Sequence, residues 1–358
     1  MAASIVNNND YFVKCLFPPQ KMYFLYFSRC GIFFLFERGN FIMKHLIIFN
    51  PVAGKANDGG AAFELKIKES FEGLDYEIYK STGPRAVTEF LKGYLKKAKD
   101  TVRIYACGGD GTVNEAVNGM VDFDNAELAI LPTGTGNDFV KIYGVTNENV
   151  EQYRSFKPLI EGQPVAVDLS KISGASLREP LYSINVINFG FDAIVGARGN
   201  YYKEHGLPKD AKEGTNPYDY ALKHDAMKYG RFNDIEVFAD GEKLNEKQML
   251  LATLAQGQFV GGQFKCAPKS SNTDGLIDVC VLKTMTFLGL GMIIGTYTKG
   301  KHLDRPRKKI VYRQAKEIKM VSPKDFDVCV DGEMICGKEF KVEVCPKAIK
   351  LVPPAKAE

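Results

Sequence analysis

Tryptophan is absent from this 358-residue chain, and histidine occurs only four times, at positions 45, 205, 224 and 302. No pair of these has HxxxH or HExxH spacing, so a zinc-hydrolase site has no ligands to start from. None of the eight cysteines (15, 30, 107, 266, 280, 329, 336 and 345) forms a CxxC pair, which excludes a zinc ribbon and a disulfide-dense miniature fold. Several sit in apolar runs, Cys280 in LIDVCVL among them, and read as buried free thiols in a reducing cytosol. The phosphate-loop signature GxxxxGKS/T is missing. Long apolar runs are missing too: the most aromatic stretch, YFLYFSRCGIFFLF (23–36), is interrupted by Arg29 and lacks a small-residue cleavage site. The formal charge is only +4, which gives no footing for nucleic-acid binding.

What is present is ordinary globular composition, 45% hydrophobic and 25% charged, at a length that suits two domains. Residues 1–42 differ in texture from the rest, and MKHLIIFNPVAGK, opening at Met43, reads as a natural N-terminus leading into a first strand. We expect 1–42 to be an extension outside the fold, with a membrane-touching hairpin as the alternative. From Met43 strand-like and helix-period segments alternate. HLIIFN, DYEIYK, TVRIYAC and AELAILP read as strands, and AAFELKIKESFEG places Phe63, Ile67 and Phe71 at i, i+4 and i+8 of a helix. This alternation predicts a parallel sheet covered on both faces. After about residue 165, strand-like runs joined by turns such as Asp240-Gly241 predict a mostly antiparallel β domain, with helices near 216–229 and 286–298. The stretch KGKHLDRPRKK (299–309) carries six Lys/Arg against one Asp; it is open between a solvated surface and a patch that meets anionic lipid or phosphate.

Three turns at strand ends carry the candidate chemistry. CGGDGTVNEAVNG (107–119) follows a strand and leads into a helix, an arrangement that presents backbone N–H groups to phosphate. Its glycines let phosphate approach closely, yet the only charge among its first five residues is Asp110. LPTGTGND (131–138) follows the next strand and ends in Asp138, and NPVAG (50–54) follows the first strand. In a parallel sheet all three emerge at the carboxyl edge, where ligands bind. GTGNDF (134–139) approaches the dinucleotide fingerprint GxGxxG but ends in Phe139 and follows a later strand. Glycine loops with two aspartates suggest nucleotide phosphates accompanied by Mg²⁺.

NPVAGK, GGDGTVNEAVNG, LPTGTGNDFVK, NFGFDAIV (188–195), APKSSNTDGLIDV (267–279) and VDGE (330–333), in that order, resemble the diacylglycerol and sphingoid lipid kinases, part of the superfamily of NAD kinases and phosphofructokinases. The resemblance spans nearly everything from Met43 to about Pro353. It implies an α/β nucleotide-binding domain with a parallel sheet at 43–165, an antiparallel β-sandwich lipid-substrate domain at 166–358, and an active site in the cleft between them. It implies transfer of the γ-phosphate of ATP to a lipid hydroxyl, with diacylglycerol as the default acceptor and phosphatidic acid as product. By position, Asn50, Pro51, Gly54, Thr82 (or its neighbour Ser81), Gly108, Gly109, Asp110, Gly111, Thr112, Val113, Asn114 and Thr135 would contact the nucleotide. Asp110 matches the family's catalytic aspartate, linked through water to Mg²⁺, and Glu333 matches its proposed proton acceptor. A structural Mg²⁺ beside the DG turn would take the Asp274 side chain and the Ser271 and Leu276 carbonyls. A cytoplasmic enzyme, peripheral at the inner face of the membrane, follows from the resemblance, with ATP and lipid as partners, no nucleic acid, and a homodimer through the β domain compatible with it.

The residues themselves leave alternatives open. Asp274-Gly275 and Asp331-Gly332 are also good hairpin turns, Glu333 also suits a surface, and Asp192 faces substrate or packs at a strand end. Lys55 and Lys141 touch phosphate or are solvated. Sphingoid base, ceramide, phosphatidylglycerol and an undecaprenol-like alcohol remain alternative acceptors. An NAD kinase or other soluble-substrate kinase is the alternative enzyme, although no GSTAY-like motif is found. A nucleotide- or lipid-binding homologue without catalysis is the alternative from a different class.

Overall fold

The computed structural model describes residues 43–51, 60–246, 248–304 and 308–357, and the backbone of the strands within 1–42. Those early strands, β1 (Ala3–Asn7), β2 (Asp10–Phe17), β3 (Lys21–Phe27) and β4 (Phe34–Glu37), pair in sequence order as a separate antiparallel sheet.

The first domain follows as β5 (Lys44–Phe49), α1 (Ala61–Ser70), β6 (Tyr76–Lys80), α2 (Ala86–Leu95), β7 (Val102–Gly108), α3 (Asp110–Met120) and β8 (Ala126–Pro132). Its strands lie parallel in the order β6-β5-β7-β8. The period of two divides the strand residues between two cores. Leu46, Ile48, Ile104, Ala106, Leu128 and Ile130 meet Val87, Leu91 and Leu95 of α2 and Val113, Val117 and Met120 of α3. Ile47, Phe49, Tyr105, Cys107, Ala129 and Leu131 meet Ile67 and Phe71 of α1 and Phe156. β7 and β8 are therefore buried along their whole length, and read as apolar runs broken only by Arg103 and Glu127, which pair with each other at 2.8 Å. β5 feeds β6 on one side while β7 feeds β8 on the other, so the strand order reverses between β5 and β7. Crevices at such reversals are where open α/β sheets bind ligands.

A short α4 (Lys157–Glu161) leads into β9 (Val165–Ser173), β10 (Leu181–Ser183), β11 (Val186–Gly190), α5 (Phe191–His205), α6 (Pro217–Ala221), a π-turn at Leu222–Ala226 and α7 (Met227–Tyr229). Then come β12 (Glu236–Ala239), β13 (Glu242–Lys243), β14 (Met249–Ala255), β15 (Ile277–Lys283), α8 (Phe287–Thr298), β16 (Ile310–Ala315), β17 (Glu317–Val330) and β18 (Glu333–Val352). The path β16-β15-β14-β11-β17-β18 is antiparallel throughout, with β9 on β18 and β12 on β17. Its inward residues, including Ile187, Phe189, Leu254, Val279, Met320, Val328 and Phe340, form a third core. Cys107, Cys266 and Cys280 are buried free thiols, whereas Cys336 is exposed.

Two features escape the residue pattern. The 15-residue helix α5 follows Gly190 and contains Gly196, Arg198 and Gly199, with no clean apolar stripe, and it packs on α6. The last strand is also shared. β18 starts in the sandwich, but Lys350–Val352 pair in parallel with Glu127–Ala129 of β8, joining both domains into one 14-stranded sheet.

Candidate active site

The loops after β7 and β8 are stitched into one surface. The N–H groups of Thr133 and Gly134 both donate to the Gly108 carbonyl, at 3.1 Å each. A Cβ on Gly134 would lie 2.2 Å from the Gly109 Cα, so only glycine allows this approach. Asn137, in the left-handed region at φ 48°, closes the second loop by accepting from Gly134 N (3.1 Å) and donating to Gly134 O (2.7 Å).

Asp110 opens α3, where a carboxylate meets the positive end of the helix dipole. Its Oδ1 accepts the N–H groups of Asp138 (2.7 Å) and Phe139 (3.2 Å), which fixes the side chain against the neighbouring loop. Burial, reinforced by the Asp138 charge and then by Asp331, pushes its carboxyl up to about 6. Asp138 itself is held by Lys141 Nζ at 2.6 Å and by the N–H of Gly262, at 3.0 and 3.1 Å to its two oxygens. Lys141 Nζ also donates to the Gly262 carbonyl at 2.6 Å. The Asp138–Lys141 pair is thus a clasp between the domains.

The VDGE segment turns as a two-residue hairpin, with Asp331 at φ 49° and Gly332 at φ 100°, the backbone of a type I′ turn. The Asp331 side chain folds back into the interior. Its oxygens accept Ser183 Oγ (2.6 Å), the N–H groups of Ile184 (2.9 Å), Asn185 (3.1 Å) and Val186 (2.8 Å), and Asn114 Nδ2 (3.2 Å). Burial raises its carboxyl above the ordinary range against the pull of those donors. Asn114 lies one turn beyond Asp110 on α3, so the hairpin is fastened beside the glycine loop. Glu333 opens β18 opposite Val330 and is exposed.

The remaining positions are placed as follows. Asn50 and Pro51 follow β5 and are half-buried, and Ser81 N donates to Phe49 O at 2.9 Å, with Thr82 exposed beside it. Gly54 and Lys55 lie outside the described residues. Gly111, in the first turn of α3, and Thr135, on the loop after β8, are exposed, Thr112 is half-buried, and Val113 is a core side chain whose N–H returns to Gly109 O at 3.2 Å. The Asn114 amide is shared between Asp331 and the Tyr182 carbonyl. Asp192 follows Gly190 at the start of α5, where burial, opposed by a hydrogen bond from Asn188, pushes its carboxyl up to about 6.

At the DG turn, Gly275 adopts φ 72°, and Asp274 Oδ1 accepts Leu276 N at 3.1 Å while Oδ2 accepts Gln314 Nε2 at 3.2 Å. Residue-type reasoning missed the buried Asp168 that positions this turn. It accepts the N–H groups of Gly275 and Lys347, at 2.7 Å each, and its own N–H donates to Asn272 O at 2.7 Å. The Leu276 carbonyl accepts Gln256 Nε2 at 3.1 Å, leaving its second lone pair. One exposed carboxylate and two carbonyls would be an all-oxygen donor set, the chemistry that suits a hard cation keeping most of its waters. No group of three or more His, Cys, Asp or Glu is assembled for a metal among the described residues.

Similarity to known proteins converges on this arrangement. The model of the diacylglycerol kinase catalytic domain matches residues 44–172, and that of the YegS C-terminal NAD kinase beta sandwich-like domain matches residues 185–353. A diacylglycerol kinase of Bacillus subtilis (strain 168) is 28% identical over 293 residues, covering 80% of this chain and 88% of the relative. A diacylglycerol kinase of Staphylococcus carnosus (strain TM300) is 26% identical over 291 residues, covering 80% and 87%. The crystal structure of a diacylglycerol kinase from Bacillus anthracis (strain Sterne) has the same fold, with a TM-score of 0.61 at 20% identity over 87% of this chain and 97% of that one. The chain thus carries a match to the diacylglycerol kinase catalytic domain followed by one to the YegS C-terminal NAD kinase beta sandwich-like domain, in this order across the two halves of its fold, and is similar to diacylglycerol kinases over 80% of its length.

Proposed function

We propose that this protein is an ATP-dependent lipid kinase that transfers the γ-phosphate to a lipid hydroxyl, with diacylglycerol as acceptor and phosphatidic acid as product. The observation that carries it is the fastening of the Asp110 loop, through Asn114 and Asp331, to the hairpin that presents Glu333. Phosphoryl transfer has a loose transition state, so positioning and charge neutralisation dominate catalysis.

The backbone N–H groups after Gly108 receive phosphate oxygens, aided by the positive end of α3, which is why the loop needs no lysine. Asn50, Pro51, Ser81 or Thr82, and Thr135 border the nucleotide from the neighbouring strand ends. Magnesium, when bound, supplies the positive charge that offsets the phosphates. Asp110 would hold it through water, and Asp274 with the Ser271 and Leu276 carbonyls would hold a structural ion. Glu333 accepts the hydroxyl proton; a carboxylate is a weak base but suffices when the proton leaves late.

The test uses purified protein, radiolabelled ATP and a panel of diacylglycerol, sphingoid base, ceramide and polyprenol in mixed micelles, with NAD in parallel. Labelled phosphatidic acid is the expected product, and phosphorylation of NAD without any lipid overturns the reading. Asp110→Ala and Glu333→Gln are each expected to lower turnover by about 10² or more while circular dichroism stays unchanged. Near-normal rates in Glu333→Gln would remove Glu333 from the base role.

A further inference from the structure

We propose that the outer face of α8, with the neighbouring Tyr229 and Phe232, docks on the surface of an anionic lipid bilayer. The lipid-kinase reading gives the protein a reason to visit a membrane; the surface itself is argued from geometry and charge.

α8 is apolar on both sides. Leu290, Ile293 and Tyr297 point inward to a core shared with Phe191, Leu251 and Cys266. Outward, Leu288 is 74% exposed and Met292 65%, one turn apart, with Ile294 at 43% and Gly291 and Gly295 between them. No charged residue occurs from Thr284 to Thr298. A surface helix ordinarily turns its polar side to water. With 12 residues, α8 is about 18 Å long at the helical rise, too short for a hydrocarbon core of about 30 Å. Among the described residues no helix is long and apolar enough to cross a membrane. A helix of this kind is suited to lie in the interface.

The surroundings favour lipid. Thr284, just before α8, donates to Arg231 O at 3.2 Å and accepts Lys309 Nζ at its carbonyl (2.9 Å), which brings the 229–232 segment alongside. There Tyr229 is 62% exposed and Phe232 52%. Lys228 Nζ lies 4.9 Å from the Tyr229 ring centre, and the Arg231 guanidinium 5.1 Å from that of Phe232. Rings with basic groups beside them suit the boundary between acyl chains and headgroups. Lys299, Lys301, Lys308 and Lys309 are exposed around the same helix. From Val279 to Lys316 the sequence holds nine Lys/Arg and one acid, Asp304. Lysine is depleted from protein interfaces, and pairing two copies of this face would oppose like charges, so an anionic bilayer is the complementary partner. The face also communicates with the cleft: Lys265 N donates to Thr298 O at 3.3 Å, and three residues earlier Gly262 binds Asp138.

The experiment is flotation of the full chain with phosphatidylcholine vesicles, with and without phosphatidylglycerol. The native protein is expected to float with the anionic vesicles only, less so at high salt. Leu288→Asp with Met292→Asp is expected to weaken binding about tenfold or more and to leave melting within about 2 °C, since both side chains are exposed. Lys299→Glu with Lys301→Glu provides a second pair that removes the salt-sensitive part. In kinase assays the Asp pair should lose activity on vesicle-embedded acceptor yet keep it on a short-chain acceptor dissolved in water. Wild-type flotation by both pairs overturns the proposal, as does a shift from dimer to monomer with flotation unchanged. If the native protein floats through these residues but phosphorylates no lipid, the docking face stands and the kinase reading falls.

Discussion

At the residue scale, Asp110 holds its charge at a cost. Its carboxyl is pushed from 3.8 to about 6 by burial and the Asp138 charge. The folded state therefore binds this proton more tightly than the unfolded chain does. Above pH 6 the ionised form subtracts stability, on the order of 2 kcal/mol; the deficit shrinks as pH falls through 6 and is gone below about 3.8. Asp110→Asn keeps an oxygen for the Asp138 and Phe139 N–H groups but removes the charge. We expect urea unfolding in EDTA to show the variant about 2 kcal/mol more stable at pH 7.5, with little difference at pH 4. An equal gap at both pH values would mean that ionisation is not its source. A variant both more stable and inactive would mark Asp110 as a residue kept for chemistry. The acid itself was legible in the sequence, as an aspartate where a phosphate loop ordinarily avoids one. Its two N–H partners were not, because they come from 28 and 29 residues away.

At the scale of elements, the glycines split into two kinds. Gly134 presses backbone on backbone: a Cβ there would lie 2.2 Å from Gly109 Cα and 2.8 Å from Gly109 N, neither of which can swing aside. Gly111 would meet nothing within 4 Å. Gly134→Ala is expected to cost about 2 kcal/mol in thermal or urea unfolding and to weaken ATP binding about tenfold by calorimetry, by prising the two loops apart. Gly111→Ala should cost well under half as much stability. Equal losses in the two variants would show that generic glycine entropy, rather than loop contact, sets the result. Loop positions were readable because a strand run ends and glycines begin. The central parallel strands were readable because burial on both faces leaves runs that are apolar except for the paired Arg103 and Glu127. Helix α5 was not: only three of its fifteen residues, Phe191, Ala193 and Gly199, are buried, too few to print a helical stripe.

At the scale of the whole molecule, the strand texture of the sequence changes near residue 165, but the ties across that point leave no mark in it. Asp331 joins α3 to the Ser183–Val186 stretch of the sandwich, the Asp138–Lys141 pair reaches Gly262, and β18 delivers Leu351 and Val352 into the cores of the first domain. Each tie joins residues far apart in the chain, which no local pattern records. The strand tie is the most directly testable. Leu351 is fully buried in the cluster of α2, α3 and the parallel strands, although the sandwich sequence lies between it and β8 in the chain. Leu351→Ala should therefore cost about 2–5 kcal/mol, the range for a buried leucine. Hydrogen exchange locates the damage: amides of β7 and β8 should lose protection together with β18, while β14 and β15, at the far side of the sandwich, change least. Faster exchange confined to β17, β18 and β9 would mean that the first domain holds its core without the strand. Loss of protection in β7 and β8 would mean that the cleft is built on one continuous sheet, so that a change in either domain is felt at the Asp110 loop.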